Sequence, residues 1–126
     1  MSKEIISTRF APKTPASYSQ AVKAAGLVFV SGIAPIDPAT GRLVQGPVQA
    51  QVAQCLTNIA EILKEAGSEL ANAVSATLIF ADEEDFGPAS EEWERWFPTD
   101  PPARQGAKMP VRVPGMKVSI AMIALA

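Results

Sequence analysis

The chain has 126 residues, eleven lysines and arginines against thirteen acids, a net charge of −2 and no histidine. That length suits one domain spanning 1–126, and the interspersed charges leave no basic stripe for nucleic acid. The missing histidine removes His-based triads, His general bases and nearly every common zinc arrangement, and the 48% hydrophobic content contains no run long enough to span a bilayer.

From the N-terminus, "MSKEIISTRF" has charges where a signal peptide needs its apolar stretch, which predicts a cytosolic protein. "EIISTRF" (4–10) mixes β-branched and polar residues as a first strand does, and "APKTPASYSQ" follows as a loop rich in proline and serine. Gln20 to Lys23 and Leu27 to Ser31 read as two short strands joined by a turn at Ala24 to Gly26, so the first three strands make a meander. Asp-Pro and Thr-Gly close together predict a surface loop over 34–42. The clearest element follows, with Gly46 and Pro47 suiting the N-cap and first helical position and Gly67 the stop. Between them Val48, Val52, Cys55, Leu56, Ile59, Leu63 and Ala66 recur at helical spacing as one apolar stripe. "NAVSATLIFA" (72–81) reads as a buried strand, and "DEEDFGPASEEWERWF" as an acidic loop running into a helix that ends near Phe97. A strand around 103–109, a connection bounded by Pro110, Pro114 and Gly115, and an apolar central strand "KVSIAMIALA" complete the chain. Helices alternating with strands in this order predict a two-layer α+β fold, a mixed sheet with both helices on one face.

Few residues offer chemistry. Cys55 sits on the helix stripe, where cysteine is a small hydrophobe, and Asp82, Glu83, Glu84 and Asp85 form a solvated, dipole-favoured run, so no metal is expected. Trp93 and Trp96, three apart, read as packing residues, within the chain or between subunits. Tyr18, the sole tyrosine, suits either a structural hydrogen bond or the orientation of a ligand. "VSGIAP" ends a strand in a glycine, where a backbone can come close to a ligand or another chain. Arg104 follows a rigid Pro-Pro-Ala lead-in; its guanidinium is either a solvated charge or a fork held to receive a carboxylate.

"YSQAVKAAGLVFVSGIAPIDPATGRLV", "QVAQCLTNIAEILKEAGSELANAVSATLIFADEEDF", "PPAR" and the closing strand fall in order along nearly the whole chain, and together they resemble the RidA/YjgF family of small trimeric enamine/imine deaminases. The resemblance implies a chorismate-mutase-like fold, a homotrimer whose sheets form a central barrel, and pockets at the subunit interfaces. It makes Arg104 a carboxylate-binding arginine, Tyr18 a pocket tyrosine, and Gly32 with Ile33 a wall formed by backbone. The closing strand departs from the family's "VEIEAIA": Ser119 stands where the first glutamate is thought to handle water, and Ala121 replaces the second. Gly106 stands where cysteine is frequent, and Ser90 where asparagine is frequent.

The activity implied is hydrolysis of 2-imino acids to 2-keto acids and ammonia, without a cofactor. Arg104 would clamp the carboxylate, Tyr18 and Ser119 would orient substrate and water, and backbone near Gly32 and Gln105 would assist proton transfer. The competing reading is a non-catalytic protein that binds or senses a small carboxylate such as a keto acid. Ribonuclease activity fits poorly with an acidic chain that lacks histidine.

Overall fold

Glu4–Ile6 (β1), Ala21–Ala24 (β2) and Leu27–Ile33 (β3) form the expected antiparallel meander in a computed structural model that describes residues 2–126. Ala25 and Gly26 lie at φ 54° and 77°, the pair of left-handed residues that a two-residue type I′ hairpin turn requires. β1 is shorter than the 4–10 predicted. Beyond Ile6 the backbone pairs with a side chain instead of a strand: Thr8 N donates to Gln20 Oε1 at 2.7 Å, and Gln20 Nε2 donates to the carbonyls of Thr8 (3.0 Å) and Pro12 (2.9 Å).

The loop predicted over 34–42 contains a small hairpin, Ile36–Asp37 (β4) with Arg42–Leu43 (β5). The two turn signals act on one bend. The Asp37 carbonyl accepts from Thr40 N (3.2 Å) and Gly41 N (2.8 Å), while its carboxylate accepts from Ala39 N (2.9 Å).

Helix α1 covers Val48–Glu65, with Pro47 at the N-cap, one residue later than the sequence suggests. Gly67 ends it as expected, in the left-handed region at φ 81°. Gly67 N donates to Lys64 O (3.0 Å) and Ser68 N to Leu63 O (2.8 Å), the crossed pair of a Schellman motif. The predicted stripe is wholly buried, and Ile62 joins it. Ala73–Phe80 (β6), Phe86–Trp96 (α2), Ala103–Lys108 (β7) and Val118–Leu125 (β8) follow.

The six-stranded sheet runs β1-β2-β3-β8-β6-β7, and β7 lies parallel to β6 while the other pairs are antiparallel. The last strand is therefore central. Both helices cover one face, α1 against β3, β8 and α2. On that side Val118, Ile120, Met122 and Ala124 of β8 meet Leu56, Ile59 and Leu63 in one buried cluster. Each large aliphatic side chain so enclosed contributes about 1.5–3 kcal/mol of transfer free energy. The alternate residues Ser119, Ala121 and Ile123 face the uncovered side and stay half-buried.

Three amide side chains are the polar groups buried in this core. Gln20 shapes residues 8–12, Gln51 joins Val44 O and Gly115 O to Lys117 N, and Asn58 donates to Ala34 O and Ile36 O. Each replaces the water that an irregular backbone would otherwise need. No helix among the described residues is long and apolar enough to cross a membrane.

Cys55 is enclosed and its thiol donates to Ile33 O at 3.3 Å. Burial pushes the thiol well above its ordinary pKa of 9.0, because a thiolate there would lose its hydration. Below that ordinary value the thiol keeps its proton folded or unfolded, and stability does not depend on it. Above it only the unfolded chain releases the proton, so unfolding becomes easier by about 1.4 kcal/mol per pH unit. Denaturant titrations should show the stability advantage of wild type over Cys55→Ala constant near neutrality and shrinking above about pH 9. An advantage that is the same at alkaline pH would mean that the thiol ionises freely in the fold.

Candidate functional site

Strand β7 forms the edge of the sheet, and all six of its residues are exposed. Arg104 pairs across the ladder with Ala76, whose side chain is buried beneath the helices, so the arginine also projects to the helix side. There Nη2 donates to Ser90 Oγ at 2.9 Å, and the guanidinium carbon lies 5.6 Å from the Trp93 ring centre. Both partners come from α2. Pro101 and Pro102 restrict the backbone leading to Arg104, and together with Phe97 they wall a cavity of about 340 Å³ beside it. Glu94 lines the same cavity, yet among the described residues the one ion pair is Glu92 with Arg95. A neutral hydroxyl and an aromatic face thus orient the Arg104 cation without neutralising it, which leaves donors for an anion.

Gly106, two residues on, also lies on the helix side. A Cβ there would stand 3.0 Å from Phe86 Cε1 and 3.3 Å from Leu78 O. Phe86 is held by Phe80, with ring centres 4.3 Å apart. A cysteine here would therefore start in tight contact with the edge of the Phe86 ring.

Gln105 points the other way, donating from Nε2 to Thr77 Oγ1 at 3.2 Å. Ser119 shares that uncovered face, paired with Ile79. Arg104 and Ser119 are thus on opposite faces of the sheet, with β6 between their strands, and one chain does not bring them together.

On the far side of β8, the register of β3 shifts between Val30 and Ile33, which places Gly32 in a bulge. An added Cβ at Gly32 would meet nothing within 4 Å, so the backbone there is open to approach. Ile33 itself is buried, with its carbonyl engaged by Cys55. Tyr18 is 50% exposed in the loop before β2, and its hydroxyl bonds to no other described residue. The structural hydrogen bond considered for it does not form among the described residues. Trp93 is packed in the core as read from sequence, with Phe97 against it at 4.6 Å, and it also carries Arg104.

The roles of Ser90, Trp93 and Phe86 around β7 were not read from the sequence. The signal was available: Phe86, Ser90, Trp93 and Phe97 recur at spacings of four, three and four along α2. Among the described residues no three Cys, Asp or Glu side chains gather as a metal site would require.

A match to the family described as Endoribonuclease L-PSP covers residues 8–126. A protein of Bos taurus named 2-iminobutanoate/2-iminopropanoate deaminase is 40% identical over 123 residues, covering 98% of this chain and 90% of the relative. The crystal structure of yeast Mmf1 superposes with a TM-score of 0.93 at 32% identity, covering 98% of each chain. RidA from an Antarctic Psychrobacter superposes with a TM-score of 0.91, also at 32% identity, covering 98% of this chain and 99% of that one. A family match over nearly the whole length, supported by relatives above 30% identity, places this chain in the Endoribonuclease L-PSP family, the group that includes the RidA/YjgF proteins.

Proposed function

We propose that the protein hydrolyses 2-imino acids to 2-keto acids and ammonia, at a pocket assembled between the subunits of a homotrimer. The observation that carries this reading is the unneutralised guanidinium of Arg104, held by Ser90 and Trp93 at the mouth of a cavity. The name of the Bos taurus relative supports the choice of imine chemistry.

In the proposed reaction Arg104 receives the substrate carboxylate through paired donors. Water adds to the imine carbon as one of its protons passes to the nitrogen, and the hydroxyl proton of the resulting carbinolamine then passes to the same nitrogen as the carbon–nitrogen bond breaks, releasing ammonia and leaving the keto acid. Imines hydrolyse in water unaided, so holding the carboxylate and the water in register supplies much of the rate. Ser119 and Tyr18 orient water and substrate, while backbone near Gly32 and Gln105 assists proton transfer. The sheet lies between Arg104 and Ser119 in one chain, so residues of a second subunit complete the pocket. The half-exposed apolar row of Phe29, Ala121 and Ile123 on the uncovered face supports such an assembly.

Ser119 gives substance to a second reading. A hydroxyl with no base beside it is a poor proton acceptor, and acid–base assistance is typically worth about 10²–10⁴-fold. A protein that binds keto acids without turning over imines would keep Arg104 and tolerate serine here. Ribonuclease chemistry, suggested by the family's description, finds no histidine and no basic stripe on this chain.

Ammonia release from 2-iminopropanoate generated in situ should exceed the uncatalysed rate; equality with that rate would favour the binding reading. Arg104→Lys should keep fold and assembly while losing most affinity for 2-ketobutyrate, because an ammonium cannot offer two parallel donors. Near wild-type affinity would remove Arg104 from the site. Light scattering at micromolar concentration should give the mass of a trimer, and a monomer mass would eliminate the interfacial pocket. Ser119→Glu should raise turnover, with keto-acid binding equal or weaker because the new carboxylate competes for Arg104. A folded, binding-competent Ser119→Glu trimer that is no faster than wild type would show that the missing glutamate is not what limits the protein.

A further inference from the structure

A larger cleft, of about 510 Å³, lies away from the Arg104 cavity on the solvent side of α1. One wall is the helix surface at Gln54, Thr57 and Glu61; the β4–β5 hairpin and the Arg9–Phe10 segment close it. Its polar groups are mostly acceptors. Thr57 Oγ1 spends its proton on Ala53 O (2.8 Å), and Gln54 Nε2 donates to Asn58 Oδ1 (2.9 Å). Asp37 uses one carboxylate oxygen on Ala39 N, and Glu61 is in no ion pair with a described residue.

Arg9 supplies the cleft's cation. It lies 4.9 Å from the Phe10 ring centre and is not ion-paired with either carboxylate. The Phe10 ring is 54% exposed, and Pro38 and Ala39 add further apolar lining. Arg9, Asp37 and Glu61, none of them ion-paired with a described residue, thus share one cleft with an aromatic ring that carries the guanidinium and is still half exposed. A ligand that satisfies them carries an ammonium, a carboxylate and an apolar group.

We propose that this cleft binds a free α-amino acid with an apolar side chain, its ammonium at Glu61 and Asp37, its carboxylate at Arg9 and its side chain on Phe10. The site is distinct from the Arg104 pocket and independent of the activity proposed there. Keto acids, which lack the ammonium, are poor ligands for it. Charge pairs this open to solvent are individually weak, so a dissociation constant of about 0.1–1 mM is expected.

Calorimetric titration of the intact protein with L-leucine and L-phenylalanine tests the proposal. Glu61→Gln and Arg9→Gln should each weaken binding about tenfold, the loss of one charge-assisted contact. N-acetyl-leucine should not bind, and Arg104→Lys should bind leucine as wild type does. Thermal melts check that the variants are folded, and a variant that fails is replaced by Glu61→Ala or Arg9→Ala at the same position. No saturable binding up to about 10 mM would overturn the assignment. So would equal binding of the acetylated ligand, unchanged affinity in both cleft variants, or loss of binding in Arg104→Lys.

Discussion

Strand β8 is enclosed by helices on one face and left half-covered on the other, and the geometry of the remaining elements follows from that asymmetry. Because Val118, Ile120, Met122 and Ala124 must all point into the helix layer, both flanking strands are held to an alternation that keeps Val28, Ala76, Leu78 and Phe80 on the same side. β3 meets this demand only by bulging between Val30 and Ile33, which returns Ile33 to the core opposite Ile120 and leaves Gly32 open. The same alternation, carried through β6 to β7, sends Arg104 towards α2 and Gln105 away from it. The division of candidate residues between two faces is thus a consequence of core packing.

Much of this architecture was legible in the sequence because it depends on local pattern. The α1 stripe, the Gly67 stop, the β2–β3 turn and the doubly apolar final strand each declare themselves within a few residues. The places where the pattern misled, the end of β1 and the hairpin at 36–43, neighbour segments that distant amides organise. Gln20 supplies to residues 8–12 the partners a strand neighbour would have supplied, and Asn58 reaches from α1 to Ala34 and Ile36. A glutamine or asparagine on a helix or strand gives no local sign that it will be enclosed and bonded to backbone so far along the chain.

The candidate site was legible by residue type rather than by arrangement. Arg104 stood out through its permanent charge and the prolines before it, and its contact with Ser90 and Trp93 follows from the spacing on α2. Its separation from Ser119 could not be read, because the face of each residue depends on the strand order β8-β6-β7, which pairs segments distant in sequence. Resemblance grouped these residues as one site; the register of a single chain shows that they need not share a surface within it.

The approach of Phe86 to Gly106 brings two positions twenty apart in sequence into direct steric contact. A side chain introduced at 106 requires the Phe86 ring, which rests on Phe80, to give by a few tenths of an ångström. For protein engineering, this couples the strand that carries Arg104 to the first turn of α2. Libraries that vary 106 together with 86 give the ring freedom to move with each new side chain, and so reach shapes beside the guanidinium that variation at 106 alone must fit around the present phenylalanine.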